Sequence, residues 1–260
     1  QASTIKDAVI NDERSAKNIV RDKYRHPIET LKFFQIKSNM TVIELSPGSG
    51  WYTEILANYL HDPGTLIAAH FDKDSEVSYF KRGRANFEKK IASSPMYSNV
   101  EIVDLNSNLA EENSVDAVVT FRNLHNWLGP QMDSIFANSF KALKPGGIFG
   151  VVEHRADPGT SLDDMKKSGY VTEEHAIMIA KKNGFFSIFK QTSDTQTIMG
   201  SEGVKESTHF IFCRLTMSYR CTQELITFMY HWLIHSPKEE GLFKEKSFIH
   251  SPGSFKGPNP

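Results

Sequence analysis

The fold is indicated most clearly by one stretch of the sequence, Thr41-Val-Ile-Glu44-Leu-Ser46-Pro47-Gly48-Ser49-Gly50-Trp51. An apolar run typical of a buried strand carries one acid, passes into a loop of small residues and opens a segment with helical spacing of apolar side chains. Gly48 and Gly50 have no Cβ, so the backbone of the loop can approach a ligand closely. The start of the following helix offers free N–H groups and a positive dipole end to a carboxylate or phosphate. The pattern favours a ligand-binding loop in an α/β sheet, although ordinary strand-to-helix turns share it.

Around this stretch, residues 28–215 alternate short apolar runs with amphipathic segments. This alternation predicts an α/β fold, a Rossmann-like three-layer sandwich with a mostly parallel sheet and helices on both faces. Helices are predicted after Gly50, after Gly129 with Pro130 in the first turn, and after Thr172. The predicted strands are Thr41–Leu45, Thr65–Phe71, Val100–Leu105, Val115–Phe121 and Gly147–Glu153, followed by a terminal antiparallel pair at Phe185–Gln191 and His209–Leu215.

One acid directly follows the second predicted strand, and another lies near the end of the third. Asp72 lies where a carboxylate can accept hydrogen bonds from both hydroxyls of a ribose. Asp104, with Asn106 close behind it, lies where a side chain would meet an adenine amino group. The structural alternatives are a solvated helix cap for Asp72 and a polar strand end for Asp104.

These residues resemble the class I S-adenosylmethionine-dependent methyltransferases, over roughly residues 24–215. The resemblance includes the loop motif, both later acids, the segment Phe121–Trp127 and Lys-Pro-Gly-Gly before the fifth strand. More narrowly, Tyr24-Arg-His-Pro-Ile-Glu29 and His154–Gly159 are similar to a bacterial group of predicted methyltransferases. The resemblance implies seven strands in the order 3-2-1-4-5-7-6, the last antiparallel, and S-adenosylmethionine as cofactor. The implied cofactor-binding residues are Glu44, Ser46, Pro47, Gly48, Gly50, Trp51, Asp72, Asp104 and Asn106.

One position departs from the family pattern. The family loop usually begins with glycine where this chain has Ser46. A serine there costs little if its φ is negative, and its hydroxyl could contact the cofactor. The loop also lacks the G-x-G-x-x-G spacing that a nicotinamide-binding domain prefers, which counts against a dehydrogenase.

The reacting end is expected after the fourth and fifth strands. Methyl transfer is an in-line displacement, so the protein mainly aligns the reactants and excludes water, and a base is needed only for a protonated acceptor. His125 is the candidate base, and Asn123 would orient the substrate or the methionine amine. The alternative is a polar loop without chemistry. Candidate substrate residues, each with an equal structural alternative, are Tyr24, His26, His154 and Arg155. The Trp51 ring would either pack against the cofactor or pack against an N-terminal lid.

Three regions are predicted. Residues 1–27 form an N-terminal helical lid, residues 28–215 the S-adenosylmethionine-binding domain, and residues 216–260 a C-terminal helix and flexible tail. The helix, Tyr219–His235, has an apolar stripe that should be buried on the domain, in a homodimer or against lipid.

Composition narrows the function classes. A net charge of -1 disfavours nucleic-acid binding. No apolar run is long enough for a membrane span. No histidine or cysteine spacing predicts a metal site, since His231 and His235 lack a third ligand. A start at Gln1 leaves the compartment open between the cytoplasm, where the cofactor is made, and export after removal of a leader.

The sequence therefore predicts a methyltransferase acting on a small organic acceptor. The alternative is a cofactor-binding or regulatory protein without catalysis, and a nucleotide-dependent oxidoreductase ranks third.

Overall fold

The computed structural model describes residues 2–193 and 210–217. Its strands are β1 Thr41–Leu45, β2 Thr65–His70, β3 Val100–Asp104, β4 Val115–Phe121, β5 Leu143–His154, β6 Phe185–Ser193 and β7 Phe210–Met217. The first five form a parallel sheet in the order β3-β2-β1-β4-β5. The chain runs outward from β1 through β2 to β3 and then returns to the other side of β1. The strand order therefore reverses between β1 and β4, which is where α/β sheets bind ligands.

Helices alternate with the strands. They are α1 Ile5–Val9, α2 Ala16–Ile19, α3 Asp22–Arg25, α4 Pro27–Phe33, α5 Trp51–Tyr59, α6 Ser78–Ile91, α7 Pro130–Ala142, α8 Leu162–Ser168 and α9 Glu173–Lys182. Local signals start them as predicted: Pro130 occupies the first turn of α7, and the Thr172 hydroxyl accepts a hydrogen bond from the His175 N–H at the start of α9.

The central strand is buried on both faces. Ile43 and Leu45 belong to one core cluster, together with Phe136 of α7. Val42 belongs to a second cluster on the opposite face, together with Leu56 of α5. Because successive strand residues point to opposite faces, an uninterrupted apolar strand needs a helical layer on each side, and the result is a three-layer α/β architecture.

Most predicted strand bounds agree with the structure. β1 and β4 match, and β2 and β3 end one residue earlier than predicted. The prediction was wrong for the start of β5, which begins at Leu143 instead of Gly147. Leu143 already pairs with Val115, and the register shifts before the pairing resumes at Ile148. The Lys-Pro-Gly-Gly stretch is thus an irregularity within the strand.

The N-terminal segment packs on α5. Ala8 and Val9 share a core cluster with Leu56. The buried Glu54 accepts hydrogen bonds from Ser15 Oγ at 2.7 Å and Asn18 Nδ2 at 2.8 Å. The segment is therefore fixed to the helix that follows the glycine loop.

Several predictions lie outside the described residues: the helix Tyr219–His235, a homodimer through it, the flexible tail and the His231/His235 pair. Within the described ranges, no helix is long and apolar enough to cross a membrane. Residues 2–193 and 210–217 also contain no group of three or more histidine, cysteine, aspartate or glutamate side chains placed to hold a metal ion.

Candidate functional site

The loop after β1 is held in a left-handed conformation. Its φ angles are +50° at Ser46, +60° at Gly48 and +78° at Gly50. The Ser46 N–H donates to the Ala69 carbonyl at 2.8 Å, which continues the ladder to β2. The condition for a low cost, a negative φ at Ser46, is not met, and the serine adopts a backbone conformation that glycine tolerates better.

Two features of the loop fit an additional ligand. A Cβ added to Gly48 would meet no heavy atom within 4 Å, so this part of the loop borders open space. Within the part of the chain that the structure describes, the buried Ser46 hydroxyl has no hydrogen-bond partner. An open backbone and an unsatisfied hydroxyl side by side suit a polar cofactor. Gly50 has a different role, because a Cβ there would lie 3.1 Å from the Phe87 ring.

Glu44 lies near the end of β1 and is only 2% exposed. Its Oε2 accepts a 2.6 Å hydrogen bond from Thr53 Oγ1. Burial raises the pKa of Glu44 to about 7, while the Thr53 hydrogen bond and the charge of Lys90 act in the opposite direction. A buried carboxylate with this little support would be stabilised by a cationic donor such as an ammonium group.

His70 supports the glycine loop and was missed by the sequence analysis. The Phe71 N–H donates to His70 Nδ1 at 2.8 Å, so Nε2 carries the proton and donates to the Gly48 carbonyl at 3.1 Å. Burial lowers the pKa of His70, which favours this neutral form. The sequence feature that could have identified His70 is its position at the end of a predicted strand, two residues before Asp72.

Asp72 follows β2 and Asp104 is the last residue of β3, at the strand ends where the two acids were predicted. Asp72 is exposed, and its Oδ1 accepts from the Asp74 N–H at 2.8 Å. Asp104 Oδ1 accepts from Arg84 Nη1 at 2.8 Å, and the same guanidinium donates to the Phe71 carbonyl. Arg84, which the sequence analysis also missed, thereby joins the ends of the two strands.

Asn106 follows β3, and Asn123 follows β4. Asn106 Oδ1 accepts a 3.3 Å hydrogen bond from Gln131 Nε2. Asn123 Nδ2 lies 3.2 Å from both the Leu45 and Ser46 carbonyls. Asn123 therefore ties the segment after β4 to the loop after β1, which brings the predicted cofactor loop and the predicted reacting end together.

His125 is paired with a buried carboxylate. Its Nδ1 lies 3.1 Å from Glu153 Oε1, and its backbone N–H donates to Glu153 Oε2 at 3.3 Å. The Glu153 side chain is 1% exposed and that of His125 is 23% exposed. The carboxylate fixes the tautomer with the proton on Nδ1, so Nε2 is the basic atom. Glu153 was not predicted as a site residue. The sequence feature that could have identified it is an acid directly after the apolar run Gly150-Val-Val.

His154 and Arg155 lie at the end of β5. The His154 N–H donates to Glu153 Oε1 at 2.8 Å, and the His154 ring centroid is 6.5 Å from that of His125. Burial, with the charges of Arg122 and His125, lowers the pKa of His154 to about 4. Arg155 Nη1 pairs with Glu173 Oε1 at 3.3 Å.

The N-terminal candidates lie near α5. Trp51 is buried, and its Nε1 donates to the Asn18 carbonyl at 2.9 Å. This is the packing role that the sequence analysis gave as its alternative to cofactor binding. Tyr24 has the Lys23 ammonium 4.7 Å from its ring centroid. His26 has a left-handed φ of +44°, and its buried Nε2 has no hydrogen-bond partner among the described residues.

Comparison with known proteins agrees with this geometry. Residues 43–151, which include Glu44 and His125, match a family model described as a methyltransferase domain. No curated protein matches the chain. Among solved structures, an S-adenosylmethionine-dependent methyltransferase from Aquifex aeolicus superposes with a TM-score of 0.57 at 16% identity, over 76% of this chain and 93% of the other.

Two further structures share the fold. An S-adenosylmethionine-dependent methyltransferase from Methanosarcina mazei has a TM-score of 0.53 and 14% identity, over 73% of this chain and 97% of the other. Phosphoethanolamine N-methyltransferase 2 from Haemonchus contortus has a TM-score of 0.56 and 13% identity, over 84% of this chain and 61% of the other. The family match and the common fold confirm the resemblance that the sequence motifs indicated. The narrower likeness to a bacterial group stays a prediction.

Proposed function

Because this chain belongs to the class I S-adenosylmethionine-dependent methyltransferases and uses S-adenosylmethionine as its cofactor, we propose that it methylates a small organic acceptor held beside His125. The observation that carries this proposal is the His125–Glu153 pair, which Asn123 ties to the glycine loop. Pairing of a histidine with a buried carboxylate is a common arrangement for a general base.

We propose that the cofactor lies along the ends of β1, β2 and β3. The open backbone at Gly48 and the unsatisfied Ser46 hydroxyl support contact with the loop. Glu44 would receive the ammonium group and Asp72 the ribose hydroxyls. The remaining predicted contacts are Pro47, Asp104 and Asn106, while Gly50 and Trp51 would support the loop from its packed side. When bound, S-adenosylmethionine supplies the methyl group, which is attached to its sulfonium sulfur. The thioether that remains after transfer is a good leaving group.

At the reacting end, His125 accepts the acceptor's proton at Nε2. Glu153 holds Nδ1 in its protonated form and stabilises the imidazolium that results. His154 stays neutral near pH 7, because burial lowers its pKa to about 4. It therefore adds no positive charge that would oppose protonation of His125.

We also propose that the sheet continues from β5 through β7 to β6, which completes the order implied by the family resemblance. The antiparallel registers of β7 against β5 and against β6 support this order. The contacts of the N-terminal segment with α5 likewise support a lid formed by residues 1–27.

A transfer assay tests the reacting end. We expect His125→Ala to lower kcat about 100-fold or more with S-adenosylmethionine affinity unchanged, since a general base contributes roughly 10² to 10⁴. Glu153→Gln should lower kcat by a smaller factor. His61→Ala is the matched control, because His61 lies before β2, at the opposite edge of the sheet. The assay measures S-adenosylhomocysteine formation over a panel of small acceptors. Cofactor binding without transfer to any acceptor would favour the regulatory alternative.

A further inference from the structure

Helix α6 directs three side chains toward the proposed cofactor site. A Cβ added to Gly50 would lie 3.1 Å from the Phe87 ring, and the Lys90 ammonium donates to the Ser49 carbonyl at 3.1 Å. Both contacts support the loop after β1. The third side chain, Arg84, contacts the ends of β2 and β3. Positions 84, 87 and 90 are three residues apart, so one face of the helix packs against all three elements.

Arg84 is held rigidly between the two strand ends. Its Nη1 donates to the Phe71 carbonyl at 2.9 Å and to Asp104 Oδ1 at 2.8 Å, and its Nε donates to Glu88 Oε1 at 2.7 Å. The Arg84 side chain is 7% exposed, and that of Asp104 is 39% exposed. Because the planar guanidinium is buried and bound to three acceptors, it fixes the position of the more exposed Asp104 carboxylate.

Asp104 uses only one of its carboxylate oxygens in this contact. Among residues 2–193 and 210–217, no group donates a hydrogen bond to Asp104 Oδ2. The partial exposure of the side chain leaves Oδ2 accessible to a ligand. An ionised carboxylate only accepts hydrogen bonds, so the matching ligand group is a donor such as an amino group.

We infer that Arg84 is a positioning residue for recognition of the adenine base: it binds Asp104 Oδ1 so that Oδ2 accepts from the amino group at C6. This inference rests on the proposed function, which puts the cofactor along the ends of β1, β2 and β3. A hypoxanthine base carries a carbonyl oxygen at C6 and would turn an acceptor toward the carboxylate, which is unfavourable. Arg84 thereby contributes to the choice of base without touching the cofactor.

A purely structural role for Arg84 predicts a different result. If Arg84 only joined β2 to β3, its loss would weaken the binding of both bases by the same factor. A positioning role changes the ratio of the two affinities instead. The ratio is therefore the quantity to measure.

Calorimetric titration of the full chain with S-adenosylhomocysteine and with S-inosylhomocysteine measures this ratio. The second ligand has a carbonyl oxygen in place of the amino group at C6. We expect the wild-type protein to prefer S-adenosylhomocysteine about tenfold or more, since hydrogen bonds to charged groups are the stronger ones. Arg84→Met should lower this preference severalfold. Arg82→Met removes an exposed arginine from the same helix and should keep the wild-type preference.

The Asp104→Asn variant tests the orientation itself. Arg84 can only donate, so it binds the carboxamide oxygen and leaves the NH2 group facing the ligand. That NH2 group donates to the hypoxanthine oxygen, so the preference should reverse in favour of S-inosylhomocysteine. In the double variant Arg84→Met/Asp104→Asn the carboxamide is free to turn over, and the two ligands should bind with nearly equal affinity.

The outcomes separate this inference from the proposed function. Equal affinity of the wild-type protein for the two ligands, an unchanged preference in Arg84→Met, or no reversal in Asp104→Asn would overturn the inference. If Arg84→Met fails to fold, Asp104→Asn keeps the arginine and still tests the orientation that it imposes. Failure of S-adenosylhomocysteine to bind the wild-type protein would instead contradict the proposed function.

Discussion

At the scale of single residues, Ser46 of the loop after β1 is held in a backbone conformation that is unfavourable for serine. Its φ of +50° costs roughly 1 kcal/mol in a residue with a Cβ. We expect Ser46→Gly to raise the free energy of unfolding by up to about 1 kcal/mol, less the higher chain entropy of unfolded glycine. Ser49→Gly, in the same loop, is the control and should lower the free energy of unfolding by about 0.5 kcal/mol. Urea denaturation of both variants measures the difference. A loss of stability in Ser46→Gly larger than in Ser49→Gly would contradict this account.

The buried carboxyl group of Glu44 should make the folding stability depend on pH. Burial raises its pKa from 4.5 to about 7 in the folded chain, so the unfolded carboxyl ionises first as the pH rises. Folding stability should therefore fall between about pH 4.5 and 7, by roughly 3 kcal/mol at most, and stay reduced above pH 7. The difference in unfolding free energy between wild type and Glu44→Gln, measured in urea at pH 5 and pH 8, isolates this effect. The same difference at both pH values would show that Glu44 does not titrate in this range.

Individual residue roles were only partly predictable from the sequence. His125 was predictable from its position after β4, whereas Glu153 was not, because an acid near the end of a strand can equally be a polar strand end without a role in the site. The sequence also contains no sign that Arg25 contacts Trp51, which lies 26 positions further along the chain. No local pattern reports a contact of that kind.

At the scale of elements, α5 holds the N-terminal segment to the site through Glu54. Burial opposes ionisation of Glu54, but hydrogen bonds from Lys90, Ser15 and Asn18 lower its pKa overall. The side chains of Glu54 and Arg14 are buried, with Arg14 Nε 3.7 Å from Glu54 Oε2. Replacing the carboxylate by an amide would remove the negative charge that Arg14 and Lys90 face and would turn an NH2 donor toward the buried Arg14 Nε.

We therefore expect Glu54→Gln to lower the free energy of unfolding by about 3 kcal/mol and to expose residues 2–27 to limited proteolysis. Glu88→Gln is the control, because Glu88 also pairs with an arginine but is 46% exposed, and it should cost less than about 1 kcal/mol. Equal stability and equal protease resistance of the two variants would show that Glu54 does not anchor the segment.

Elements were predictable where the apolar pattern was strong. β1 and β4 are buried on both faces and read as continuous apolar runs, so their bounds matched. α6 was not predicted, because only two of its side chains, Arg84 and Phe87, are buried. A helix that is mostly solvated carries little periodic signal, although it supplies the arginine that joins β2 and β3.

At the scale of the whole molecule, the parallel order of the sheet brings the carboxyl ends of β2, β1 and β4 side by side, so the acid after β2, the glycine loop and His125 lie at one edge. The sequence predicted the parallel sheet and which residues follow each strand. It could not predict that Asn123 would contact the loop after β1 or that Glu153 would pair with His125, because these contacts depend on which strands become neighbours in space.

Calorimetric titration with S-adenosylmethionine tests the central claim most directly, that the loop after β1 and the acid after β2 hold the cofactor. The account predicts saturable binding of one cofactor per chain, weakened about tenfold or more in Asp72→Asn. Asn at position 72 can still accept the hydrogen bond from the Asp74 N–H, so the turn is kept. The control Asp74→Asn should bind like the wild type. Absence of binding to the wild-type protein, or equal affinity in the two variants, would contradict the account.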